Sequence, residues 1–213
     1  MKRLRSVITV GLAGILMSAN ISSRANDTPR LSPLTREQMT PDQNALADEI
    51  LKVSGVGLGG PYNPLLRSPD MGKRMFDLLD YLRWKTSVPK RLNEFAILIV
   101  GRQWRSQVEW YSHGPLAAKA GLAQHTIDEL RANKRPTAMQ PDEEVVYNFV
   151  TELLMKYKVS DATYARAKAT LGEQGVVDLT AVTGTYVTVA MLIAAAEERV
   201  PPGREEPFKA SDP

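Results

Sequence analysis

The chain has 213 residues, 27 Lys+Arg against 24 Asp+Glu, two histidines and no cysteine. The absence of cysteine excludes disulfides, thiolate metal sites and thiol redox catalysis. Residues 1–25 hold Lys2, Arg3, Arg5 and Arg24 and no acid, so the remainder has 23 basic against 24 acidic residues, with no basic cluster among aromatics to suggest a nucleic-acid partner.

Those first residues read as an export signal. "MKRLR" is a basic n-region, and "SVITVGLAGILMSA" is an apolar run too short for a comfortable bilayer span. Ser23 and Ala25 are the small residues of a cleavage site before Asn26. The expected location is periplasmic or secreted, with no membrane association once the signal is removed; the alternative is a segment kept uncleaved as an N-terminal anchor. Residues 26–38 are a polar lead-in expected to be flexible. Residues 39–200 suit one domain with a sizeable core.

"TREQMTPDQNALADEILKV" predicts a helix, with Thr40 as N-cap, Pro41 at N1, and Leu46, Ile50 and Val53 at helical spacing. "SGVGLGGPYNP" breaks it. This glycine-rich loop lacks the strand-to-helix context of a phosphate cradle and is expected to line a ligand site instead. "SPDMGKRMFDLLDYLRWKT" starts at a Ser68 cap and places Met71, Met75, Leu78, Leu79 and Leu82 on one apolar face. "SVPKRLNEFAILIVGRQW" buries Leu92, Phe95, Ala96, Ile99 and Val100, and "SQVEWYSHGPLAAKAG" follows, closed by Gly121.

"AQHTIDELRANKR" is a short polar helix, and "PDEEVVYNFVTELLMKYKV" opens with Pro141 and an acidic first turn that suits the helix dipole. Ser160 caps "SDATYARAKATLG". "EQGVVDLTAVTGTYVTVAMLIAAAEERV" is the most apolar segment after the signal, and its threonines and Gly184 favour a soluble core or subunit contact over a bilayer span. Residues 201–213 form a polar tail without periodicity, expected to be disordered. No alternating strand pattern occurs anywhere. The fold class is all-α.

Chemistry concentrates around the first histidine. Arg102, Ser106, Glu109 and His113 are spaced 4, 3 and 4 apart, one stripe if the helix is continuous. A break near Gln103–Ser106 removes Arg102 from that stripe. Glu109 and His113 at i,i+4 are close enough to hydrogen-bond, which would fix the imidazole for acid–base work. Arg102 supplies a cation able to hold a carboxylate, while Trp104, Trp110 and Tyr111 can exclude water. Ser106, Trp110 and the loop's Tyr62 join Arg102 as candidate substrate contacts. "GP" after His113 is expected to end or kink the helix and leave the histidine accessible. The alternative is an ordinary solvated helix face. His125 sits in another helix and gives no third ligand, so neither a metal nor another cofactor is expected. Ser106 has no GxSxG elbow around it, which argues against a serine hydrolase.

"RLNEFAILIVGRQWRSQVEWYSHGPLAAKAGL" resembles the core motif of the carboxymuconolactone decarboxylase and alkyl hydroperoxidase D family, with similarity over roughly residues 58 to 200. The resemblance implies an alkyl hydroperoxidase D-like helical fold around a central helical hairpin, assembled as a homo-oligomer (trimer or hexamer). Peroxidase members carry a Glu, a CxxC pair and a His; the matching positions are Glu94, Ser106, Glu109 and His113. Both thiols are replaced, so thiol peroxidase chemistry is impossible here. Decarboxylase members match in having a Glu four residues before the His. They imply a cofactor-free lyase or isomerase acting on a small carboxylated or lactone-like compound. His113 would move the proton, Glu109 would orient it, Glu94 would be a second relay, and Arg102 would hold a carboxylate. The other expectation is a catalytically silent oligomeric binding or scaffold protein of the same fold.

Overall fold

The computed structural model describes residues 29–55 and 57–209. The signal peptide expected at residues 1–25 lies outside them, as do residues 210–213 of the tail. Among the described residues there are eight α-helices and no strand. They are α1 (Pro41–Val53), α2 (Tyr62–Leu66), α3 (Pro69–Trp84), α4 (Lys90–Gln103), α5 (Gln107–Lys119), α6 (Gln124–Arg131), α7 (Pro141–Lys156) and α8 (Asp161–Ala196).

Local signals set several boundaries. The Thr40 side chain accepts from the Gln43 N–H and Gln43 reaches back to the Thr40 N–H, a reciprocal cap on α1. Ser160 caps α8 through the Thr163 N–H. Gly172, at φ 72° and ψ 175°, interrupts α8 in a conformation that suits glycine, so the two segments expected from sequence meet there at a kink.

The core is built around α4. Leu92 through Arg102 are all buried, so this helix lies inside the bundle with α5, α7 and α8 packed on it. Arg91 ties its first turn to α7, pairing with Asp142 at 2.6 Å and also with Glu143. Asp178 on α8 braces the corner between α3 and α4. It accepts from Ser87 N–H and Oγ, both at 2.8 Å, and from Thr86 Oγ1 at 3.1 Å. The most apolar part of α8 is long and apolar enough to cross a membrane by length and composition; half of that stretch is buried inside the molecule.

Four expectations need correction. On α3 the buried face is Gly72, Phe76, Leu79 and Leu82, whereas Met71 and Leu78 are exposed. On α1, Val53 is exposed. The lead-in, expected to be flexible, is held over its described part: Arg30 N–H donates to Ala196 O at 2.9 Å, and Asn63 Nδ2 donates to Leu31 O at 2.7 Å. The tail, expected to be disordered, docks as far as Lys209. Phe208 is buried, and its N–H and carbonyl both bond the Gln107 side chain, at 2.8 and 2.7 Å. A single aromatic anchor with satisfied backbone groups holds a segment that has no periodicity to announce it.

Gly72 lets α3 pass close to α2 and α1: a Cβ there would sit 2.4 Å from the Leu65 carbonyl oxygen and 2.9 Å from Leu46 Cδ2. Gly184 on α8 has open space around it. Gly72→Ala is therefore expected to cost about 1–3 kcal/mol through overpacking, while Gly184→Ala should gain up to about 1 kcal/mol of helix propensity. Urea denaturation of the two variants checks the opposite signs.

Candidate active site

The hairpin of α4 and α5 is made by a break where the sequence carries neither Gly nor Pro. Trp104 caps α4, Arg105 turns the chain at φ 48°, and Ser106 precedes α5. The four-residue stripe is thus split, with Arg102 on α4 and the other three at or on α5. The expected break at "GP" does not occur: α5 runs through Pro115 to Lys119, and His113 is buried within it. Proline at position 115 removes one hydrogen bond to the Tyr111 carbonyl, a loss that packing of the helix tolerates.

His113 does not bond Glu109. Its Nδ1 lies 2.7 Å from Glu94 Oε2 across the hairpin, and the other Glu94 oxygen is 2.7 Å from Lys90 Nζ. Glu94 has no exposed surface. Burial pushes its carboxyl up, but His113 and Lys90 outweigh burial and hold it at about 2. It is an ionised carboxylate with a cation on one oxygen and an imidazole N–H on the other. That arrangement fixes the tautomer, with the proton on Nδ1. The Tyr186 ring meets the imidazole edge-on at 5.1 Å, and burial raises its phenol, which stays protonated.

Glu109 is the opposite case. It is buried, and neither carboxyl oxygen has a hydrogen-bond partner among the described residues. Burial pushes it up to about 8. The nearby Ser106 hydroxyl works against this, but without a hydrogen bond of sound geometry. At neutral pH Glu109 is a carboxylic acid with a proton to give.

Both residues open onto one cavity of about 340 Å³, closed by Tyr62 and Leu79 from α2 and α3, by Leu116 from α5, and by Tyr186, Val189 and Ile193 from α8. Gly55 of the glycine-rich loop also lines it. Of the expected site residues, His113, Glu109 and Tyr62 line the cavity, and Glu94 stands behind His113. Arg102, Ser106 and Trp110 do not line it. The Arg102 guanidinium lies 5.2 Å from the Phe208 ring, and Trp110 meets that ring edge-on at 5.1 Å, so both serve the docked tail. Trp104 is partly exposed at the α4 end. His125 is exposed on α6, away from the cavity.

Arg83 and Trp84, not among the residues expected at the site, line the cavity from the end of α3. Adjacent aromatic and basic residues just before "TSVP" were the available signal. Among the described residues, no group of three or more His, Asp or Glu side chains is placed to hold a metal ion. Comparison with family models, with curated proteins and with solved structures finds no match.

The two carboxyls make opposite contributions to stability. Glu94, held at about 2, stabilises the fold above its ordinary value of 4.5, and that contribution is lost as pH falls from 4.5 toward 2. Glu109, raised to about 8, keeps in the folded state a proton that the unfolded chain releases near 4.5, so stability falls as pH rises between those values. Glu109→Gln should remove that decline. Thermal unfolding from pH 5 to 9 is expected to show the variant gaining on the wild type, by on the order of 3 kcal/mol at the alkaline end. Parallel curves for the two proteins would contradict a raised Glu109.

Proposed function

We propose that the chain is an acid–base enzyme of the carboxymuconolactone decarboxylase and alkyl hydroperoxidase D type, a cofactor-free lyase or isomerase for a small carboxylated or lactone-like compound. One observation carries this reading. A neutral, unpartnered carboxylic acid and a carboxylate-oriented imidazole lie one helical turn apart on the wall of a mostly apolar cavity. A solvated helix face has no cavity and does not bury both groups.

In this reading Glu94 accepts from His113 Nδ1–H, which leaves the Nε2 lone pair as the base. His113 removes a proton from the carbon next to a carbonyl, and Glu109 hydrogen-bonds the oxygen on which negative charge collects. Returning the proton to a different carbon completes an isomerisation. For decarboxylation, the electron pair of the breaking C–C bond passes to the same carbon, carbon dioxide leaves, and His113, having first taken a proton from solvent at Nε2, delivers it to the carbanion or enol. The apolar walls strengthen both interactions by excluding water. Glu94 is a positioning residue, because it acts through His113.

A homo-oligomer also belongs to this reading. Val177 and Met191, exposed on α8, are apolar residues suited to a subunit contact.

The test is hydrogen exchange in deuterated water, followed by NMR on a panel of small lactones and 2- and 3-oxo acids. The wild type should introduce deuterium next to the carbonyl of at least one compound. His113→Gln and Glu109→Gln should each lower that rate about 100-fold or more. Glu94→Gln should also shift the pH–rate profile, which a purely structural residue would not do. Exchange that persists in both the His113 and Glu109 variants overturns the assignment.

A further inference from the structure

Charge in and behind the cavity is not balanced. Glu94 is shared between Lys90 and His113. Glu109 is held neutral by its burial. That leaves the guanidinium of Arg83, which lines the cavity and is half-buried. Its Nε is buried without a hydrogen-bond partner, and no carboxylate among the described residues pairs with it. Its one close neighbour of note is the Trp84 ring, 5.0 Å from Cζ, and Lys90 Nζ stands over the same ring at 4.5 Å. A guanidinium with one donor buried and unsatisfied carries a cost unless something answers that donor. Stacking on an aromatic face holds the fork in place while leaving its edge to a planar acceptor.

We propose that Arg83 is the anion-recognition residue of this cavity, binding a carboxylate of the occupant so that the rest of the molecule lies against Glu109 and His113. The assignment deepens the acid–base reading and moves the carboxylate-binding role from Arg102 to Arg83. Four features of the site agree with it. Arg83 and the Glu109–His113 pair come from different helices, α3 and α5, and line the same space. The volume of about 340 Å³ suits a molecule of metabolite size. The Asp178 brace on Thr86 and Ser87 fixes the chain just after Arg83 and Trp84, which gives the guanidinium a rigid base. The remaining lining is largely apolar, with Leu79, Leu116, Val189 and Ile193 among it, so a carboxylate has no other cation to choose within the lining.

Calorimetric titration of acetate, propionate, benzoate and 2-furoate, each against its primary amide, tests the assignment on the intact protein. At least one carboxylate should bind the wild type about tenfold or more tightly than its amide, since one hydrogen-bonded charge pair separates them. Arg83→Met should reduce that preference to within about twofold, and Arg83→Lys, which keeps the charge and loses the fork, should restore part of it. Arg102→Met, remote from the cavity lining, should keep the full preference. The proposal is overturned if no carboxylate outbinds its amide in the wild type, or if the preference survives in Arg83→Met. A wild type that prefers carboxylates yet exchanges no deuterium in any lactone or oxo acid supports Arg83 and defeats the acid–base reading alone.

Discussion

A carboxylate with no exposed surface is the constraint from which the site follows. Glu94 sits in the middle of a helix that is buried on all sides, where an unpaired charge would not survive. Lys90, one turn earlier, answers one oxygen, and His113 from the next helix answers the other. These contacts leave α5 little freedom of rotation: with the imidazole turned toward α4, Glu109, one turn earlier, is directed to the cavity. The neighbouring Arg91 pairs with the first turn of α7. Successive residues of one helical turn thus connect the hairpin to the cavity on one side and to the rest of the bundle on another.

The two glutamates show how partners, more than depth, decide protonation. Both are almost completely buried, at 0% and 3% exposed, yet one is held near 2 and the other is raised to about 8. Burial pushes each of them upward. Glu94 has two groups that reward its charge, and Glu109 has only a poorly aligned hydroxyl. Chains selected for stability alone tend to satisfy or replace a carboxyl like Glu109, because its desolvation is not repaid in the folded state. Its placement on a cavity wall beside an oriented imidazole is what the proposed acid–base role would draw on.

Much of the architecture could be read from local punctuation. Thr40 with Pro41, Pro141 with its acidic turn, and Ser160 are helix starts whose physics lies within a few residues, and the structure places helices at all three. Legibility failed where the outcome depended on partners far along the chain. The break raised as an alternative near Gln103–Ser106 is the one that forms, although "RQWRSQ" contains no Gly or Pro to favour it; Gly114–Pro115 had a strong local signal that packing overrode. Glu109 and His113 were visible as an i,i+4 pair, but His113 bonds Glu94 on the other helix and neither Glu109 oxygen has a hydrogen-bond partner among the described residues. Arg83 is 30 positions before His113 on a different helix, and only the closed bundle brings both to one cavity.

The density of aromatics around "VEWYSH" argued for a water-excluding wall, and it has a second cause. On α5, Val108, Glu109, Ser112, His113 and Leu116 turn toward the cavity, whereas Gln107 and Trp110 contact the returning tail. Phe208 fills the space beside Trp110 and Arg102, so these residues are accounted for by docking a segment about 100 positions away. An aromatic or cationic residue near a histidine therefore carries less functional weight than it first suggests, since either can be recruited to close the fold. Buried polar atoms without a hydrogen-bond partner also occur away from the cavity, at Asn93, Thr126 and Thr151, so what sets Glu109 and Arg83 apart is that both line one cavity. Phe208 satisfies its backbone groups on Gln107 and buries its ring, while the Glu109 carboxyl and the Arg83 Nε remain without partners at the edge of one cavity. Unanswered polar groups of opposite chemical character, an acid and a cation, are the features a ligand would complete.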